Sequence, residues 1–437
     1  MSTNSLALGQ EARAVRHRDW KLISLISSAH ACSHFFQLVF PTLYLSLAHE
    51  YGYDFAQLGL LASTFYLVSC LGQASSGFVV DRIGPAPVLR FGLAAFVVAG
   101  ILIGASNGYW MLMLAAVIGG AGNSIFHPVD YSLINHRVSP ERLGHAFSAH
   151  GLTGNLGWAL TPIFMASIIH IANWRIATFS AAALVGVVLL LTVAGRRLLA
   201  GRDDAFEAAD KPQEAAARSD TAASTSLAHK SVRQTLAILL VQPALWGAFL
   251  FFACTTMATS AVQNYTIPML GDIYHIDKVI AGTTLSAYMV SAALGMVAGG
   301  FLVGATPNTE RTVAISLILA GALLVVLALG AVPPAFAIAL VALAGFCSGV
   351  SAPSRDMLIR RVTPKGATGT VYGLVYSGMD VGSSLAPVGF GLLIDVGYSQ
   401  GPWYGAAAGF VLASLLALQV ARAASRGSRS ASQGVAA

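Results

Sequence analysis

Gly119-Gly-Ala-Gly-Asn123-Ser-Ile-Phe-His127-Pro128-Val-Asp130, then Arg137-Val-Ser-Pro140, then Gly154-Asn155-Leu-Gly157-Trp-Ala-Leu-Thr161-Pro162: the reading of this stretch decides the fold. Two long apolar segments carry these polar groups, and a short basic loop joins them. A charged side chain at the centre of a membrane helix costs about 2.5–3.5 kcal/mol on insertion scales, so such groups face a wet cavity or a partner. The layout returns as Gly345 to Pro353, Arg361-Val-Thr-Pro364 and Asp380-Val-Gly382-Ser-Ser-Leu-Ala-Pro387. Arg137-Val-Ser-Pro140 matches Arg361-Val-Thr-Pro364 at a shift of 224, and Gly157 to Pro162 matches Gly382 to Pro387 at 225. Gly77-Phe-Val-Val-Asp81 pairs with Gly300-Phe-Leu-Val-Gly304 at 223. The chain is a parallel duplication, an arrangement that in transporters places the substrate site between the halves near mid-membrane.

Composition narrows the class. The 437 residues are 56% hydrophobic and 10% charged, with mean hydropathy +0.69. Soluble domains carry about 25% charged residues, so this is an all-α polytopic membrane protein. Segments long enough to span, at about 20 apolar residues each, fall near 21–46, 55–80, 86–106, 109–136, 143–170 and 174–196. The second set is 243–270, 278–304, 310–330, 334–361, 366–394 and 402–422. Residues 1–20 form a basic tail, 21–197 the first six-helix half, 198–242 a polar cytoplasmic linker, 243–422 the second half and 423–437 a disordered tail. The run after Lys21 is too long for a signal peptide and contains His30 and His34.

Arg82, Arg90, Arg137, Arg142, the cations from Arg196 to Arg233, Arg311, Arg360, Arg361, Lys365 and the tail arginines share one side; only Arg175 and Lys278 fall on the other. The positive-inside rule makes the first side cytoplasmic, with both termini there, and the inner (plasma) membrane is the expected location. The cysteines Cys32, Cys70, Cys254 and Cys347 lie in apolar segments without paired or metal-type spacing, and read as packing residues free of disulfides. No Walker or dinucleotide fingerprint appears, so ATP drive, cofactors and nucleic acid are not expected.

Twelve spans, a six-plus-six duplication, a long middle loop and Gly77-Phe-Val-Val-Asp81-Arg82-Ile-Gly84 after span two make the chain resemble the major facilitator superfamily over residues 20–422. Pro85-Ala86-Pro87 replaces the basic residues usual after Gly84, which leaves Arg90 as the expected partner of Asp81 in this conformational-switch loop. Within the superfamily the chain resembles the fosmidomycin-resistance group through His30-Ala-Cys-Ser-His34-Phe-Phe-Gln37, Ser124-Ile-Phe-His127-Pro128 and Gly154-Asn155-Leu-Gly157. It departs from that group at His34, where the group has an acid, at Asp130, displaced from directly after the His-Pro pair, and at Thr161-Pro162, where the group has Gly-Pro. The resemblance implies proton-coupled efflux of a small amphipathic or anionic compound by a monomer, with spans one, four, seven and ten lining the cavity. Import of an organic acid by proton symport is the alternative, and a membrane receptor or enzyme is the rival of another class.

Candidate binding residues follow from the polar groups within the spans. His30, His34 and Gln37 recur at helical spacing on one face, as do Asn123, His127 and Asp130. The second set reads either as a His127–Asp130 pair that exchanges protons, or as a structural hydrogen bond. Asn155 and its second-half counterpart Asp380, Asn264 beside Gln263 and Tyr265, and Arg355 complete the set. Arg355 has three readings: a snorkelling side chain, a partner of Asp356, or an attraction for an anion. The loop gives one testable outcome. Asp81→Asn is expected to impair transport at unchanged levels of inserted protein, and a fully active variant in a direct flux assay would remove that role.

Overall fold

The computed structural model describes residues 2–199, 243–306, 308–362 and 368–434. The expected linker 198–242 therefore lies almost wholly outside the described residues. Among the described residues, twelve helices are long and apolar enough to cross a membrane. In chain order the helices of the first half are α1 (Ser2–Gln37), α2 (Val39–Tyr51), α3 (Phe55–Ile83), α4 (Pro85–Gly104), α5 (Tyr109–Asn123), α6 (Phe126–Arg137), α7 (Leu143–Ile171), α8 (Trp174–Ala194) and the short α9 (Arg196–Leu199). The second half has α10 (Pro243–Tyr274), α11 (Lys278–Ala305), α12 (Thr309–Ala328), α13 (Pro334–Val362), α14 (Thr368–Asp395) and α15 (Gly401–Gly434).

Local chemistry explains the boundaries. Gly84, at φ 82°, takes a backbone turn that a side chain would strain, and Pro85 opens α4 directly after it. The Asn173 side chain accepts from the Ile176 N–H to cap α8, and Asp277 accepts from Val279 to cap α11. Span four breaks at Ser124 and Ile125, where Pro128 offers no N–H to the carbonyl four residues back. Span one breaks the same way at Leu38, three residues before Pro41. That second break was not expected, because Pro41 sits in an apolar run that reads as one helix.

Two termini differ from expectation. Residues 2–20 are helical and continuous with span one, and Asp19 is fully buried there. Its carboxylate accepts from the Ser139 N–H at 3.2 Å, from the Ser139 hydroxyl, and from Arg142 Nε at 2.9 Å. Helix α1 thus clamps the Arg137-Val-Ser-Pro140 loop. The C-terminal tail is also helical, to Gly434, in keeping with the high helix propensity of its alanines.

Two compact units emerge. One comprises Met1–Val39 and Val68–Asp220, the other Phe40–Leu67 and Thr221–Ala437. In the first unit α1 packs on α7, and α4 on α5 and α8. In the second, α10 packs on α14 and α15, α12 on α13 and α15, and α11 on α13. The pairs one–five and seven–eleven, three–six and nine–twelve, and three–four and nine–ten correspond, so the duplication read from sequence recurs in packing. The second unit also takes in α2 and the start of α3. There Asp395 accepts from the Phe55 and Ala56 N–H groups at 2.8 and 2.7 Å, satisfying the first turn of α3. The unit boundary in span one falls at the Leu38 break.

All four cysteines are free thiols. Intact-mass measurement should find four unmodified thiols, and a variant with alanine at Cys32, Cys70, Cys254 and Cys347 should retain transport, since each change removes one small packing group and no disulfide.

Candidate functional site: a histidine–aspartate cluster

Asp130 sits on α6, just past the break in span four, with no exposed surface. Its Oδ2 lies 3.0 Å from His30 Nδ1 on α1 and 3.1 Å from His150 Nε2 on α7. Both histidines are buried. Their rings stack with centroids 3.5 Å apart and an interplanar angle of 23°. His34 is 4.5 Å from His30, centroid to centroid, and His127 is 5.4 Å from it. Three spans thus converge four imidazoles on one carboxylate.

Glycines make this convergence possible. A Cβ on Gly154 would come 3.0 Å from both His30 Nε2 and His34 Cε1. One on Gly157 would meet the Ala31 carbonyl oxygen. The Gly154-Asn155-Leu-Gly157 motif is where α7 comes close enough to α1 for His150 to reach Asp130. The spacing of His127 and Asp130 on one helix face suggested that they pair with each other. The structure corrects this: Asp130 bonds across helices to His30 and His150, while His127 Nδ1 is buried without a hydrogen-bond partner. His150 was missed by the sequence reading. It lies inside the segment assigned to span five, and the rule that singled out His30, an ionisable group within a span, applies to it equally.

Beside the cluster lies a hydrogen-bonded polar group. Asn123 Oδ1 accepts from the Ser33 hydroxyl at 2.9 Å and from Gln37 Nε2 at 3.1 Å. Asn123 Nδ2 donates to Ser69 Oγ at 2.8 Å, and Trp158 Nε1 donates to Gln37 Oε1 at 2.9 Å. The Trp158 ring stands 4.2 Å from His34. Asn155 is not part of this set; its amide donates to Gly151 O in its own helix.

The remaining candidates are placed apart. In the second unit the buried Asn264 accepts from Tyr44 at 2.9 Å and donates to Ser260 O at 2.8 Å. The Arg355 guanidinium lies 5.0 Å from the centre of the Phe252 ring, a cation–π distance. Asp380 is partly exposed on α14. The segment expected to be a loop after span two is helical as far as Ile83, so Gly77, Asp81 and Arg82 form the last turns of α3, where Arg82 is exposed. Arg90 donates to the Thr192 carbonyl at 3.1 Å, because α4 packs on α8 and brings that helix end within reach. The side chain of Asp81, and with it the expected Asp81–Arg90 pairing, lies outside what the structure describes.

Chemically, one carboxylate shared by two imidazoles gives a proton several adjacent resting places. Two rings stacked at this distance cannot both be cations without strong repulsion. Three of the rings, His30, His127 and His150, also offer nitrogens within 4.8 Å of one another, a spacing a metal ion can bridge.

The family model described as Major Facilitator Superfamily matches residues 26–333 and 253–436. The chain belongs to the Major Facilitator Superfamily. This major facilitator is 30% identical to the fosmidomycin resistance protein of Escherichia coli K12 over 173 residues, 39% of this chain and 42% of that one. It is 25% identical to the membrane sensor protein UhpC of Salmonella typhimurium over 256 residues, 56% of this chain and 55% of the sensor. It therefore spans about half the length of these two relatives. A bacterial homolog of the human lysosomal transporter Spinster, solved inward-facing and unoccupied, shares the fold with this major facilitator at TM-score 0.68 and 14% identity, covering 94% of this chain and 97% of that one.

Proposed function

We propose that this protein is a proton-coupled secondary transporter of the inner membrane that exports a small amphipathic or anionic compound by alternating access. The observation that carries this reading is the His30–Asp130–His150 cluster. A buried carboxylate bridged by imidazoles inside a membrane bundle is costly, and such groups are the default candidates for ion and proton pathways. Export of an anion is supported by the relative named for fosmidomycin resistance. Spans one, four and five, all in the first half, carry the cluster. The protein works as a monomer, its termini in the cytoplasm, with the proton as coupling ion and no cofactor.

Import by proton symport uses the same cluster with opposite substrate direction. A sensor role has one observation in its favour, the similarity to a membrane sensor over 56% of the chain. Sealed vesicles holding the protein separate these readings. A thermal-shift screen beginning with fosmidomycin and other small organic anions identifies a ligand, which is then added to vesicles carrying a preformed pH gradient. Antiport dissipates a gradient directed to drive export, symport acidifies the compartment that takes up substrate, and a ligand that binds without any pH change overturns proton-coupled transport.

A further inference from the structure

We propose that His30, His127 and His150 form a binding site for one divalent transition-metal ion of the zinc class, held in place by Asp130. This goes beyond the transport reading and does not depend on it. The three nitrogen donors come from three helices, α1, α6 and α7, and lie within 4.8 Å of one another. The centre of such a triangle is at most about 2.8 Å from each donor, and zinc–imidazole bonds are about 2.0–2.1 Å. Ring tilts that move each donor atom inward by about 0.7 Å close that gap.

The carboxylate supplies the second, independent observation. Asp130 Oδ2 accepts from His30 Nδ1 and His150 Nε2. Those nitrogens then carry protons, and each ring keeps one nitrogen with a free lone pair for a metal. A carboxylate behind a metal-binding imidazole is the usual second partner of zinc histidines, fixing tautomer and ring orientation. Here one carboxylate serves two rings. Asp130 Oδ1 is fully buried without a hydrogen-bond partner, as is His127 Nδ1. Buried polar atoms are satisfied in the great majority of cases, and an ion seated among these rings would give His127 Nδ1 a partner. Nitrogen donors select zinc, cobalt, nickel or copper over magnesium and calcium, which take oxygen ligands. His127 is partly exposed, which gives an entering ion a route.

The test uses purified full-length protein freed of metal by a chelator. Equilibrium dialysis against Zn²⁺ should find one ion per chain. His127→Ala and His150→Ala should each weaken binding by at least about tenfold, the loss typical when a zinc site loses a supporting group. His275→Ala, at an exposed histidine outside the cluster, should bind as wild type does. Binding that is absent, or equal in all three variants, overturns the site. Should the cluster variants fail to fold, Co²⁺ absorption of the wild-type protein decides. The intense visible bands of a tetrahedral nitrogen-rich site are expected, and the weak spectrum of octahedral Co²⁺ contradicts it.

Discussion

Asp130→Asn is expected to abolish transport driven by a pH gradient while leaving substrate counterflow intact. The amide keeps the shape of the carboxylate but not its charge or its capacity to take up a proton. With no group at this position able to take up and release a proton, gradient-driven accumulation should fall to the level of protein-free liposomes. Counterflow needs only that substrate enter and leave, so it survives if the bundle is intact. His30→Gln and His150→Gln should behave similarly, since both rings bond the same oxygen. His127→Ala should cost less, because His127 makes no hydrogen bond to Asp130. Paired measurements of pH-driven uptake and counterflow in liposomes check this order. Equal losses in both assays for Asp130→Asn would make the cluster structural.

Gly349→Leu is expected to prevent the second unit from folding. Helices α11 and α13 meet through four glycines, each without room for a side chain. A Cβ on Gly295 or Gly299 would collide with the carbonyl oxygens of Phe346 or Val350, and one on Gly345 or Gly349 with those of Tyr288 or Ala292. These obstacles are backbone atoms, which cannot rotate away. Small residues let membrane helices approach closely, and packing is what drives their association. Inserting bulk into a packed core costs about 1–3 kcal/mol, sometimes more, and a leucine against a carbonyl belongs at or beyond the top of that range. The variant should lose its monodisperse peak in size-exclusion chromatography. Gly300→Ala is the control, since nothing lies within 4 Å of its added Cβ, and it should run as wild type. A Gly349→Leu protein that is folded and as stable as the control would mean that the α11–α13 contact is looser than described.

The contrast between Gly299 and Gly300 shows how far the sequence could be read. Only Gly299 is at a helix contact, because adjacent residues point to different sides of a helix. The duplication was legible because motif shifts of 223 to 225 need no tertiary information. Hydropathy located twelve spans for the same reason: in lipid the backbone must satisfy itself within each helix. The cluster was half legible. Spacing put His30 with His34, and His127 with Asp130, on shared faces. Which face meets which is decided by close approach at Gly154 and Gly157, and there the cross-helix partners of Asp130 displaced the expected neighbour on its own helix. The break at Leu38 was hidden because Pro41 within an apolar run breaks some helices and not others; Pro162, Pro268, Pro353 and Pro387 all lie inside unbroken ones.

The central claim is that substrate movement is linked to protons through Asp130. It is tested most directly in liposomes holding the purified protein, with equal substrate on both sides and a pH gradient imposed as the sole driving force. The account predicts net substrate movement that stops when the gradient is collapsed and is absent in Asp130→Asn. Substrate that stays evenly distributed under the gradient, while still exchanging across the membrane in counterflow, would contradict it.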